Sequence, residues 1–284
     1  MKQFRNILFF SLLSVLMFSC EKHTVEYMAT KVTGLAEFQL HYFVPLTAGT
    51  ANNIYKIEVN GQVYGNNTAP LTTYNAVPSG GVGRFYTTKP GQVNIKLYKG
   101  TDLELVFDQN CELKAGKQNI FVYDFNQPPI VFDTGYPFKA DVTDNTGTTA
   151  WIKFYNFLFE SDGVTTPLKI QYQYQYTIDN TSGQKSDWLD LGSPVAFGET
   201  TGWIAIPVNK TVFNSAGTAR IDYRAQVINQ DGSNGGSLKV QNSSGALVDY
   251  SDWWTAQIGR RYHHIMSGMR VAKPNCAVRV FTAL

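Results

Sequence analysis

The chain has 284 residues, 43% of them hydrophobic and 16% charged, a balance that excludes a disordered chain and suits about two domains. Aromatics reach 14%, with 16 Tyr, 18 Phe and 24 Gly, which favours strands and turns over a helical bundle. Formal charge is +2, and without residues 1–19, which carry Lys2 and Arg5, 22 basic residues face 22 acidic ones, so no electrostatic footprint for nucleic acid remains.

The basic pair Lys2 and Arg5 precedes an uncharged, mostly apolar run over residues 7–18. A spanning helix needs about 20 apolar residues, so this run is a signal peptide over residues 1–19 and not a membrane span. Ser19-Cys20 resembles a bacterial lipoprotein cleavage site, with Met17 and Phe18 standing where Leu and a small residue are usual. The resemblance implies lipidation of Cys20, cleavage before it, and a membrane partner reached through the acyl chains alone. Residues 20–33 then form a polar tether. Glu21, where some bacteria use Asp for inner-membrane retention, implies outer-membrane sorting, and Glu21-Lys22 resembles the surface-export signals of Bacteroidota lipoproteins.

From Ala36 the pattern has period two. Phe38, Leu40 and Tyr42 alternate with Gln39 and His41, as a half-buried strand requires. Residues 54–59 predict a second strand, and Asn60-Gly61 a type I′ hairpin turn. Val93, Ile95 and Leu97 mark a third strand, closed by Lys99-Gly100, and residues 103–107 and 120–125 continue the series. Pro128-Pro129 ends the first unit, residues 34–140, because prolines cannot donate to a ladder. Residues 141–149 form a polar linker.

Strands resume at Ala150, and the stretch from Ala150 to Asn156 aligns with Ala36 to Tyr42. Ile57 and Ile170 then fall at nearly matching distances in the following strands. The chain therefore predicts two copies of one β-sandwich, the second (residues 150–284) enlarged, each of a size to bury its own core. Strands are expected at residues 168–177, 203–208, 219–228 and 277–281, and a short helix at 252–258 with Ser251 as N-cap. Residues 230–251, rich in Gly, Ser and Asn, are hairpin loops or a binding loop.

A lipidation-like start, a tether and two sandwich units bridged by residues 128–133 together resemble the tandem immunoglobulin-like lipoproteins of the Bacteroidota cell envelope. That resemblance implies an all-β fold of two antiparallel sandwiches, and glycan capture, adhesion or surface assembly. It supplies no catalytic residues.

The common hydrolase and nucleotide-binding motifs are missing from the sequence, so no enzyme activity and no cofactor are expected. His263 and His264 are adjacent, hence on opposite faces of a strand, which defeats joint metal binding and suits an exposed strand end. Asp141, Asp144 and Asn145 have the oxygens but not the spacing of a calcium loop. Cys111 and Cys276 are either one bridge or two separate buried thiols.

Aromatic residues of the second unit are the candidate ligand-binding set. Tyr172, Tyr174 and Tyr176 alternate with Gln171, Gln173 and Gln175, so their rings share one face at a repeat of about 6.6 Å. That face is either a platform for sugar rings or the core. Trp253 and Trp254 lie in a polar stretch with Arg260 nearby, and two neighbouring indoles there should not both be buried. The expected function is a non-enzymatic, lipid-anchored envelope protein that binds glycan or another surface ligand. A structural subunit that donates its last strand, residues 277–284, to a neighbour is the alternative.

Overall fold

The computed structural model describes residues 34–65, 68–78, 84–134 and 148–283. The signal segment, Cys20, the tether and the acidic linker turn at Asp141, Asp144 and Asn145 lie outside the described residues. In the first half the strands are β1 (Ala36–Tyr42), β2 (Ile54–Val59), β3 (Gln62–Gly65), β4 (Asn75–Val77), β5 (Tyr86–Thr88), β6 (Gly91–Lys99), β7 (Glu104–Leu113), β8 (Gly116–Val122) and β9 (Ile130–Asp133). The second half supplies β10 (Thr149–Ser161), β11 (Val164–Thr165), β12 (Lys169–Asp179), β13 (Gln184–Lys185), β14 (Leu189–Asp190), β15 (Thr200–Pro207) and β16 (Ala219–Ile228). It ends with β17 (Asn234–Ser237), β18 (Lys239–Gln241), β19 (Leu247–Asp249), β20 (Ser251–Ala256), β21 (Arg261–Met269) and β22 (Ala277–Thr282). The fold is all-β, as the alternating pattern requires.

Four larger sheets make the body, beside the two-stranded sheet β18-β19. The order β3-β2-β6-β7 forms one outer sheet, and β4-β1-β8-β9, with β5 also on β1, forms the inner sheet beneath it. In the second half the inner sheet is β11-β10-β21-β22 with β15 on β10, and the outer sheet is β13-β12-β16-β17 with β14 on β12 and β20 on β16. The two inner sheets share one plan. Each opens on a strand that pairs in parallel with a late one, β1 with β8 and β10 with β21, and that late strand pairs antiparallel with the last. All other pairings between named strands are antiparallel. Ala36 and Ala150 stand in β1 and β10, and Ile57 and Ile170 in the first central strands of the outer sheets, β2 and β12.

Sequence chemistry sets the local turns. Asn60 (φ 50°) and Gly61 (φ 78°) both occupy the left-handed region between β2 and β3, the geometry a two-residue type I′ hairpin demands. Residues 252–258 are not helical. Ser251–Ala256 is a strand paired with β16, Ala256 opposite Ala219 and Trp254 opposite Ile221. Tertiary pairing overrides the weak N-cap signal because Trp254 and Ala256, two apart, both face the core. The stretch 230–251 resolves into short hairpins, β18 with β19 and β17 on β16.

One core lies between the first pair of sheets, around Phe38, Leu40, Ile57, Ile95, Phe107 and Ile120. Another lies between the second pair, around Phe154, Ile170, Tyr172, Ile221, Tyr223 and Met266. A third apolar layer joins the two inner sheets, formed by Phe43, Tyr74 and Phe121 from one half and Tyr155, Phe157 and Ile265 from the other. Inner strands are therefore covered on both faces: every position of β21 is buried, as is every position of β10 from Ala150 to Phe159. Doubly covered strands show continuous apolar runs instead of alternation, which explains the run Phe157-Leu158-Phe159 in β10. Lys153 is held in this layer by donating to the carbonyl oxygens of Asp133 (2.9 Å) and Thr134 (3.5 Å) at the end of β9. Burial pushes its ammonium down to about 8, against the pull of the Asp133 carboxylate. The described residues from Gly34 onward fall in one compact unit.

Candidate ligand groove on the outer sheet of the second half

The tyrosine ladder faces inward. Tyr172 is 1% exposed and Tyr174 6%, and Tyr176 packs half-buried on the same core. Their partners across β16 decide this: Tyr172 pairs with Ala225, Tyr174 with Tyr223 and Tyr176 with Ile221, all core residues. Tyr172 packs tilted against Phe154 (4.7 Å) and stacks on Tyr223 (5.4 Å), and its hydroxyl bonds Nδ1 of His264 at 2.7 Å. These three rings are thus structural and offer no sugar platform. Trp254 is also inside, 8% exposed, its indole edge-on to His264 at 4.4 Å. Arg260 lies half-buried in the turn before β21, where its carbonyl accepts from the Trp151 amide, outside the groove described below.

His263 and His264 do point to opposite faces, but neither sits at an exposed strand end. β21 lies between two apolar layers, so both imidazoles are closed in. His264 enters the second core, while His263 enters the inter-sheet layer, where Nδ1 meets the Tyr155 hydroxyl (3.0 Å) and the ring meets Trp203 (5.1 Å) and His41 (6.2 Å). His41 itself stacks on Phe121 at 4.4 Å and bonds Asn119 at 3.2 Å. Burial pushes His41 down to about 4 and His264 to about 3. It also holds His263 well below its ordinary value, helped by the neighbouring His41 and Lys153. Cys111 and Cys276 are free thiols.

These histidines predict the acid limb of stability. The unfolded chain takes up their protons below about pH 6.5, whereas the folded chain keeps them neutral until about pH 4 at His41 and about 3 at His264. The unfolded state binds more protons across that window, so stability falls as the pH drops, by on the order of 1.4 kcal/mol per unit for each histidine. Thermal melts should fall steadily from pH 6.5 to 4.5, and His264→Gln should flatten the slope. A melting temperature indifferent to pH over that range would contradict the buried, neutral assignment.

Trp253 is different. It is 51% exposed, on the outer face of β20 opposite Asp222. Outward positions of β16 carry Arg220, Asp222 and Arg224, and those of β12 carry Gln173 and Gln175, since Ile221, Tyr223 and the tyrosines take the inward ones. A groove of about 310 Å³ runs over this face, lined by Trp253, Trp188, Gln175, Lys185, Arg220 and Asp222, with Ser251 and Asp252 at its rim. The guanidinium of Arg220 lies 4.7 Å from the Trp253 ring and that of Arg224 lies 4.4 Å from Trp188, both within cation–π range.

Asp222 is the electrostatic knot. One oxygen accepts from Arg220 Nε (2.9 Å) and Nη2 (2.7 Å), the other from Lys185 Nζ (2.6 Å). The carboxylate is buried, and charge-assisted bonds occupy both oxygens, so it fixes Arg220 against Trp253 instead of serving as a free base. Gln173 extends the network, accepting from Arg224 Nε (2.8 Å) and donating to Asp190 (2.7 Å). The sequence reading missed Trp188, Lys185, Arg220, Asp222 and Arg224. The available signal was the polar alternation of 220, 222 and 224 on a strand whose other face is apolar.

The terminal strand belongs to its own sheet. β22 pairs antiparallel with β21 from Tyr262↔Thr282 to Ser267↔Ala277, so it is engaged within the chain. No protein-family model and no curated protein matches the chain. Among solved structures it is similar to a candidate cell adhesion protein from Bacteroides fragilis at 8% identity and a TM-score of 0.26, over 87% of this chain and 97% of that one. A candidate cell adhesion protein from Bacteroides uniformis is similar at 12% identity and a TM-score of 0.22, over 88% and 98%. Overlap this loose transfers no function.

Proposed function

We propose that the protein is a non-enzymatic, lipid-anchored component of a bacterial cell envelope, and that its second sandwich captures a glycan or another surface ligand in the groove at Trp253. The observation that carries this reading is the half-exposed indole, clamped by Arg220 within a concave polar face. An exposed indole leaves apolar area in water, which a sugar face covers at little entropic cost to a side chain with two torsions. The clamp matters because a held ring has less rotamer freedom left to lose on binding. Asp222 argues for binding over hydrolysis, since both its oxygens are taken by cations.

The test is a binding screen of the full-length protein in detergent against purified envelope and host polysaccharides. Saturable binding that Trp253→Ala removes is the expected result, and binding that survives the substitution overturns the groove as the site. Anchorage has its own test. Cys20→Ser should shift the protein from washed membranes to the soluble fraction, because two or three acyl chains, at about 0.8 kcal/mol per buried methylene, are the hold being removed. Retention of the variant in washed membranes would contradict the lipid anchor.

A further inference from the structure

We infer that the groove selects neutral oligosaccharides of two or more sugar units, laid across the strands between Trp188 and Trp253; this rests on the binding reading above and narrows its ligand class. Two features carry it. The first is closure of charge. Among the residues lining the groove, the cations Lys185 and Arg220 are matched in number by Asp222 and Asp252. Lys185 and Arg220 both pair with Asp222, and Arg224 with Gln173 and the Trp188 ring. A sulfate, phosphate or uronate entering here would compete with a buried carboxylate already held by three charge-assisted bonds. Breaking that set leaves Asp222 buried and unpaired, a penalty that a neutral ligand does not meet.

The second feature is spacing. Trp253 stands on β20, while Trp188 lies just before β14, which pairs with β12. The strands follow in the order β14, β12, β16, β20, so the backbone segments that carry the two rings are three strand spacings apart, roughly 14 Å. A single sugar ring covers one indole but cannot reach the other. Between them the floor offers groups suited to hydroxyls. Gln175 spends one amide hydrogen on the Ser186 carbonyl (2.6 Å) and keeps its side-chain oxygen, and Ser251 is exposed at the rim. Apolar ring faces separated by hydroxyls match that order of indole, amide and indole.

The experiment is calorimetric titration of the full-length protein in detergent with neutral glucose, mannose and xylose hexasaccharides, and with galacturonic acid and sulfated hexasaccharides. Each is measured from about 0.01 M to about 1 M salt, across which the screening length falls from about 30 Å to about 3 Å. At least one neutral hexasaccharide should bind with affinity changing less than about twofold over that range. Trp188→Ala and Trp253→Ala should each weaken it by about tenfold or more, and the matching monosaccharide should lose the dependence on one of the two rings. Preference for an anionic hexasaccharide, with steep loss in salt, overturns this inference but leaves the groove as the site if Trp253→Ala still abolishes binding. No binding by any member of the panel overturns this inference alone, whereas binding indifferent to both tryptophans overturns the inference and the groove as the site together.

Discussion

Phe121→Ala should lower the stability of the whole described body by about 3–5 kcal/mol, the usual cost of truncating a fully buried Phe. Phe121 is 0% exposed and lies between the inner sheets. Its ring stacks on His41 (4.4 Å) and Phe157 (4.8 Å) and touches Tyr155 (5.1 Å) and Phe132 (5.6 Å). Rigid sheets cannot collapse around the vacated volume, so the cavity term adds to the lost transfer energy. For a chain of this size the melting temperature should drop on the order of 10 °C. The parent should unfold in one calorimetric transition, because separating the halves would expose Phe43, Phe121 and Phe157 together. The variant should split that transition in two as the shared layer weakens. A loss below about 1 kcal/mol, with the transition still single, would show that this layer does not couple the halves.

Trp254→Ala should likewise cost about 3–5 kcal/mol, whereas Trp253→Ala, one residue earlier, should stay within about 0.5–1 kcal/mol of the parent. The contrast follows from the strand period alone. Trp254 turns inward opposite Ile221, against His264 (4.4 Å), Tyr223 (5.9 Å) and Tyr262 (6.2 Å). Trp253 turns outward opposite Asp222 and gives up only its contact with the Arg220 guanidinium, a surface cation–π pair worth about 0.5–1 kcal/mol. Paired chemical-denaturation curves read this directly. Equal losses in the two variants would mean that Trp253 packs inside as well, and the groove would lose its exposed ring.

Strands with one wet face were legible from their residues. In β6, Val93, Ile95 and Leu97 alternate with polar neighbours and are buried as that period requires. The inner strands were harder because a second apolar layer covers their other face. Tyr155, Phe157 and Ile265 belong to that layer, and the same cover turned His263 and His264 from an apparent strand end into interior residues. The tyrosine ladder shows a different limit. Period two separates the Tyr face of β12 from its Gln face, but which one meets the core depends on Ile221, Tyr223 and Ala225 opposite, some fifty residues downstream. Likewise, adjacency made one of Trp253 and Trp254 exposed without saying which; the pairing of Trp254 with Ile221 decides it. Trp188, between the two-residue strands β13 and β14, carried no periodic signal to find it by.

The most direct measurement combines ligand affinity and melting temperature on the Trp253→Ala protein, using the tightest-binding polysaccharide from the screen. An intact melting temperature with affinity reduced by at least about tenfold, the scale of an aromatic hot spot, is the result expected of an exposed binding ring. Unchanged affinity in a fully folded Trp253→Ala protein would contradict the assignment of the groove as the binding site.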